Sequence, residues 1–176
     1  FHLVGLDLTV FDVVGIGNAL VDVISHETDE FIASHGLVKS SMTLIDTERA
    51  EELYAAMSSA IEASGGSAGN TVAGVASFGG RAAYMGRVFD DQLGAVYAHD
   101  MKAQGVLFAN PPVVEGPPTG RSLIVVTPDA HRTMNTYLGA SAFFCPSDVD
   151  PALIASICML KNVATRLTAA VRSSDS

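Results

Sequence analysis

The chain reads as an α/β domain, a mostly parallel sheet covered by helices. Three observations carry that expectation. Short β-branched runs alternate with stretches whose apolar residues recur every three or four positions, a glycine-rich segment interrupts them at residues 62–94, and an antiparallel hairpin follows Pro111. With 176 residues, 48% of them apolar and 16% charged, one domain with a real core is affordable and two are not.

Residues 11–16 form a β-branched run ending at Gly15 and Gly17, read as a strand buried on both faces, with residues 20–25 continuing it outward. Residues 42–45 are a second strand. Asp46 caps a helix whose apolar positions Ala50, Leu53, Tyr54, Met57 and Ile61 share one face, with Glu48, Glu51 and Glu52 on its wet side. The next helix spans residues 71–78 and is stopped by Gly79 and Gly80. Residues 82–85 are a strand, Asp90 caps a third helix with Leu93, Val96, Tyr97 and Met101 as its buried stripe, and residues 106–108 are the next strand. Pro117, Pro118 and Gly120 then mark a loop. Residues 122–127 and 132–138 flank the turn Pro128-Asp129-Ala130 as a hairpin, and Asp150 with Pro151 opens a final helix.

The formal charge of -9 argues against a nucleic-acid groove or an anionic membrane surface as partner. Cys145 and Cys158 have no ligand-spaced partners, so reduced, buried thiols in a cytoplasmic protein are expected rather than zinc or a disulfide. Asp7, Asp12 and Asp22 interrupt the apolar amino terminus, which fits neither a signal peptide nor a membrane span. A start at Phe1 suggests a fragment or foreign residues at the front. Residues 161–176 set Lys161, Arg166 and Arg172 against Asp175, reversing the acidic balance of the rest, and read as a divergent tail.

Two constellations carry chemistry. Gly65, Gly66 and Gly69 allow close approach of main chain to a ligand, and Asn70 offers an amide donor and acceptor beside them. The same residues also suit a flexible connector with a helix cap. Asn18 and Asp22 lie just beyond the first strand; a carboxylate accepts two hydrogen bonds side by side, which suits neighbouring hydroxyls of a sugar, although a turn with a solvated aspartate would read the same. Gly15 and Gly17 alternatively begin a dinucleotide fingerprint, with Leu20 in place of its third glycine. There is no Gly-Lys-Ser or Gly-Lys-Thr phosphate loop.

Gly65-Gly66-Ser67-Ala68-Gly69-Asn70, then Gly79-Gly80, Gly86 and Asp90-Asp91-Gln92-Leu93-Gly94, together with Asn18, Asp22 and the segment from Arg132 to Ala140, resemble the PfkB family of carbohydrate and nucleoside kinases. The four-residue step from Asn18 to Asp22 is similar to the adenosine kinase branch. The resemblance covers residues 11–155. It implies a ribokinase-like three-layer sandwich with a mostly parallel central sheet and a small β lid, truncated: a partial domain over residues 1–160, its lid drawn from about 24–46 and 111–140. It implies that Asn18, Asp22, Gly65, Gly66 and Asn70 hold sugar or ribose hydroxyls, that Arg132 meets a phosphate oxygen, and that two copies pair through the lid. ATP and magnesium are cofactors of the full-length family. Their sites, and the catalytic base, belong to a Gly-Ala-Gly-Asp segment and an Asn-x-x-Glu segment that this sequence lacks, so kinase activity of the chain alone is not expected. Phe89 stands where the family has glycine and is expected to distort the turn before Asp90. A non-catalytic sugar- or nucleoside-binding or regulatory module is the alternative function, and a dinucleotide-binding oxidoreductase domain a remote one.

Overall fold

The computed structural model describes residues 10–157; Cys158 and the tail at 161–176 lie outside the described residues. In chain order the elements are β1 (Val13–Ile16), β2 (Leu20–His26), α1 (Asp29–Ser34), β3 (Met42–Leu44), α2 (Thr47–Ala56), β4 (Ile61–Gly65), α3 (Ser67–Ser77), β5 (Ala82–Met85), α4 (Gln92–Ala103), β6 (Val106–Phe108), β7 (Gly120–Val126), β8 (Arg132–Tyr137) and α5 (Pro151–Ala155). They build two sheets. One is wholly parallel with the order β1-β5-β6; the other has five strands in the order β3-β8-β7-β2-β4. In the second sheet β2–β7 and β3–β8 pair in parallel, while β2–β4 and the β7–β8 hairpin are antiparallel.

β5 organises the first sheet because all four of its side chains are buried. Ala82 and Tyr84 face a core shared with Val72 of α3 and Leu93, Tyr97 and Met101 of α4. Ala83 and Met85 face the opposite way, onto Phe11 and Leu153 of α5. Helices therefore lie on both faces of this sheet, the layered α/β arrangement expected of parallel strands. The larger core continues into the second sheet through Val21, Val23 and Leu123, where Leu53 of α2 is also fully buried. Each such side chain contributes about 1.5–3 kcal/mol of burial free energy. Among the described residues no helix is long and apolar enough to cross a membrane.

Several elements differ from the sequence expectation. The first strand is half-buried rather than buried on both faces, because among the described residues β1 pairs along its length only with β5 and Ile16 is 45% exposed. Residues 20–25 do not continue it: they belong to β2, in the other sheet. Asp46 does cap α2, accepting from the Arg49 amide at 2.9 Å, but the helix ends at Ala56, and Ile61 sits on β4 with 69% exposure. The chain turns out of α2 where Ser58 donates its amide to Glu27 at 2.7 Å. α3 starts at Ser67, four residues earlier than expected. Cys145 is half-buried, not buried.

The cap of α4 is Asp91, one residue later than expected. One oxygen of its carboxylate accepts from the Gly94 amide and the Thr119 hydroxyl, both at 2.7 Å, and the other accepts from the Thr119 amide at 2.9 Å. The Thr119 hydroxyl in turn accepts from the Phe89 amide at 3.0 Å. This knot closes the turn before α4 with Phe89 in place, and Phe89 does not take a positive φ. It also fastens α4 of the first sheet's helical layer to the start of β7. Asp91→Ala removes a cap and two further bonds and should lower unfolding free energy by about 2–4 kcal/mol in urea titrations. Asp90→Ala, at an exposed position, should stay within about 0.5 kcal/mol of the parent.

Candidate functional site

The antiparallel pairing of β2 with β4 sets Leu20 opposite Gly65 and Asp22 opposite Ala63. That register lays the Asp22 carboxylate directly over the Gly65 main chain. A Cβ at Gly65 would fall on the carboxyl carbon and both of its oxygens, so the position admits only glycine unless Asp22 moves. Gly66 follows as the residue before α3 with φ +83, and a Cβ there would stand 2.6 Å from the Asn18 carbonyl oxygen. Asn70 lies one helical turn on, its amide donating to the Gly66 carbonyl at 2.9 Å.

The six residues expected from sequence fall into two touching groups. Asn18, Gly66 and Asn70 gather at the start of α3, where the side chains of Asn18 and Asn70 are exposed. Asp22 touches Gly65 and shares with the exposed Arg132 a cavity of about 320 Å³, walled also by Ile24, His26, Ile124 and Val126. Asn18 and Asn70 do not line this cavity. Burial pushes the Asp22 carboxyl above its ordinary value, and the charge of Arg132 opposes the shift only in part.

Strand register adds residues that the sequence reading missed. Asp22 aligns with Ser122 and, across the hairpin, Thr136; Ile24 aligns with Ile124 and Met134; His26 aligns with Val126 and Arg132. Because alternate residues of a strand share a face, these nine side chains form three rows on one surface. The first row is polar, with the Ser122 and Thr136 hydroxyls 3.0 Å apart; the second is apolar; the third carries the basic groups. Beyond Thr136 lies a second hollow of about 300 Å³, lined by Leu44, Pro117, Leu138 and Phe143 among others. The period-two alternation either side of the hairpin turn was the signal available for this surface.

Contrary to a sequence reading that finds no Gly-x-Ser-x-Gly elbow, that spacing occurs at Gly65-Gly66-Ser67-Ala68-Gly69, between a strand and a helix. It is not a nucleophile elbow in this fold. Positive φ belongs to Gly66 and not to Ser67, and among the described residues no histidine bonds the exposed Ser67 hydroxyl. Among the described residues, no three His, Cys, Asp or Glu side chains gather as a metal-binding group.

Comparison with known proteins gives this geometry a family. The model of the pfkB family carbohydrate kinases matches residues 29–168, well over half of the chain. The chain belongs to the PfkB family. A crystal structure of adenosine kinase from Sinorhizobium meliloti is similar at 56% sequence identity and a TM-score of 0.74, over 80% of this chain and 43% of that one. A probable sugar kinase from Rhizobium etli CFN 42 is similar at 53% identity and a TM-score of 0.78, over 84% of this chain and 44% of that one. Adenosine kinase from Trypanosoma brucei brucei follows at 25% identity and a TM-score of 0.70, over 84% and 47%. This PfkB chain thus spans less than half the length of the solved structures it matches. A search of curated proteins returned no match.

The raised carboxyl of Asp22 fixes a sign for stability. The folded chain holds that proton more tightly than the unfolded chain, so the contribution of Asp22 is present below the unfolded value and is lost as pH rises through the folded one. At neutral pH the buried charge is a cost. Asp22→Asn should therefore unfold at a higher temperature than the parent at neutral pH, with the difference closing below about pH 4. A variant less stable than the parent at neutral pH would contradict this electrostatic account.

Proposed function

We propose that residues 10–157 are the acceptor-binding half of an ATP-dependent kinase that phosphorylates a hydroxyl of a nucleoside or sugar, with adenosine favoured. The observation that carries the reading is the Asp22 carboxylate held against the bare main chain of Gly65 at the mouth of a cavity. With no side chain at Gly65 to displace it, the Asp22 carboxylate lines the cavity, where it would accept from a neighbouring pair of hydroxyls, and each bond to the charged oxygen is stronger than a neutral one. Asn18 and Asn70, at the start of α3, supply amides to the remaining hydroxyls. The bound diol replaces the water that burial has taken from the carboxylate.

The apolar row of Ile24, Ile124 and Met134, one step from Asp22, favours a nucleoside over a bare sugar, because a flat ring needs apolar surface that a free polyol does not. The 56% identity to the Sinorhizobium meliloti adenosine kinase supports the same branch. In this reading the second sheet acts as the lid, and Arg132 at its tip carries the charge that meets a phosphate oxygen.

Membership of a kinase family implies use of ATP and magnesium. The residues at hand do not fit either group: no acidic cluster converges among those described, and the sequence holds no Gly-x-Gly-Asp. The chain contributes acceptor binding, orientation and exclusion of water, which in phosphoryl transfer are a large part of catalysis.

Calorimetry on the 176-residue chain with adenosine, ribose, fructose and NAD tests the assignment. Adenosine should bind, ribose more weakly, and Asp22→Ala should weaken adenosine by about 100-fold or more, the worth of two charge-assisted hydrogen bonds. ATP turnover by this chain should be undetectable. Tight NAD binding with no nucleoside binding would overturn the reading.

A further inference from the structure

β4 is an edge strand. Among the described residues it pairs with β2 alone, and Ile61 at its start is 69% exposed. In an antiparallel pair the amides of each strand point alternately towards the partner and away from it, so an edge strand leaves every second N–H without a ladder bond. The Ser64 amide is one of these. It lies between Ala63, which stands opposite Asp22, and Gly65, against whose main chain the Asp22 carboxylate rests.

α4 supplies the bond that a sixth strand of this sheet would make. Asp100 accepts from the Ser64 amide at 2.9 Å through one carboxylate oxygen, and its other oxygen lies 3.4 Å from Nδ1 of His99. One turn on, the side-chain amide of Gln104 donates to the Ser64 hydroxyl at 2.9 Å. Ser64 is thus held by main chain and side chain from a single helix. Nothing in α4 itself favours an aspartate here: it stands in the last turn, at the negative end of the helix dipole, and aspartate is a poor helix former. The bond to β4 accounts for it. An ionised acceptor makes that bond stronger than the neutral bonds of a ladder. α4 is also anchored at its start, where Asp91 binds Thr119, so the helix meets β4 as a fixed body.

We propose that Asp100, assisted by Gln104, is a positioning residue for the acceptor site: by clamping Ser64 it holds β4 in place and keeps Gly65 against Asp22. The proposal rests on the reading of Asp22 as the residue that receives the acceptor hydroxyls. Asp100 does not line the cavity and acts through the strand. With the clamp removed, β4 moves off the carboxylate, water reaches Asp22 from the Gly65 side, and Gly66 loses its place beside the Asn18 carbonyl.

Three variants separate a clamp from a charge effect and from a general loss of stability. Asp100→Ala removes the acceptor, Asp100→Asn keeps an acceptor oxygen without the charge, and Gln104→Ala removes the weaker bond. In the 176-residue chain without ligand, hydrogen exchange at the Ser64 amide should quicken at least about tenfold in Asp100→Ala, while the Tyr84 amide of β5 keeps its parent rate. Carboxyl-carbon NMR should show the Asp22 midpoint falling towards the ordinary aspartate range in Asp100→Ala and staying near the parent in Asp100→Asn. Arg132 and His26, which share the cavity with Asp22, and Tyr97, which lies within reach of its charge, are the same in all three variants. Adenosine affinity should drop about tenfold in Asp100→Ala and less than about threefold in Asp100→Asn. Gln104→Ala should move each reading the same way by less, and it carries the test if Asp100→Ala does not fold. An unchanged Ser64 exchange rate, an Asp22 midpoint that falls equally in both Asp100 variants, or adenosine affinity equal in Asp100→Ala and the parent would overturn the clamp. A parent that binds no adenosine would instead sink the nucleoside reading, with exchange and titration still deciding the clamp.

Discussion

The contact between the Asp22 carboxylate and the bare main chain of Gly65 is the constraint on which the rest of the site depends. It exists because β4 runs antiparallel to β2 in one register and no other, with Leu20 opposite Gly65. A slip of one residue would turn Asp22 to the face where Val21 and Val23 now form the core. The buried valines therefore hold the functional register. Their apolar burial opposes any slip, and the carboxylate rides on the opposite face at the expense of part of its hydration.

The site stands where two sheets share one core. Between β1 and β2 the chain leaves the parallel sheet within three residues, and between β4 and α3 it returns within one. Asn18 lies in the first of these crossings and Gly66 in the second, and the two touch. Asp91 ties a third crossing by bonding Thr119 at the entry to β7. Polar groups concentrate at these crossings because the main chain there is outside either ladder and needs other partners. Such crossings are also where ligand-binding residues of α/β folds gather.

Much of this was legible in the sequence, and the parts that were not have physical reasons. The paired glycines, Asn18, Asp22 and the hairpin stood out because each breaks a local pattern that an ordinary core element would keep. β4 did not, since an edge strand with an exposed Ile61 and a Glu-Ala-Ser-Gly run shows no apolar alternation. β2 reads as an extension of β1 because strands of either sheet need β-branched residues, and nothing local records a change of sheet. The start of α3 was hidden for a different reason: Gly66 caps it through its backbone angle, with no side-chain cap to read. The partnership of Asp22 with Ser122 and Thr136 spans about a hundred positions or more and is fixed only by strand register, which single-sequence patterns do not carry.

The central claim is that the Asp22 carboxylate itself receives the hydroxyls of the acceptor. Carboxyl-carbon NMR of the chain labelled at aspartate, titrated with pH in the presence and absence of adenosine, measures this most directly. Free, Asp22 should titrate above the ordinary aspartate range, and saturating adenosine should bring its midpoint down, because hydroxyl donors favour the charged form. A midpoint that is the same with and without bound adenosine would contradict the account.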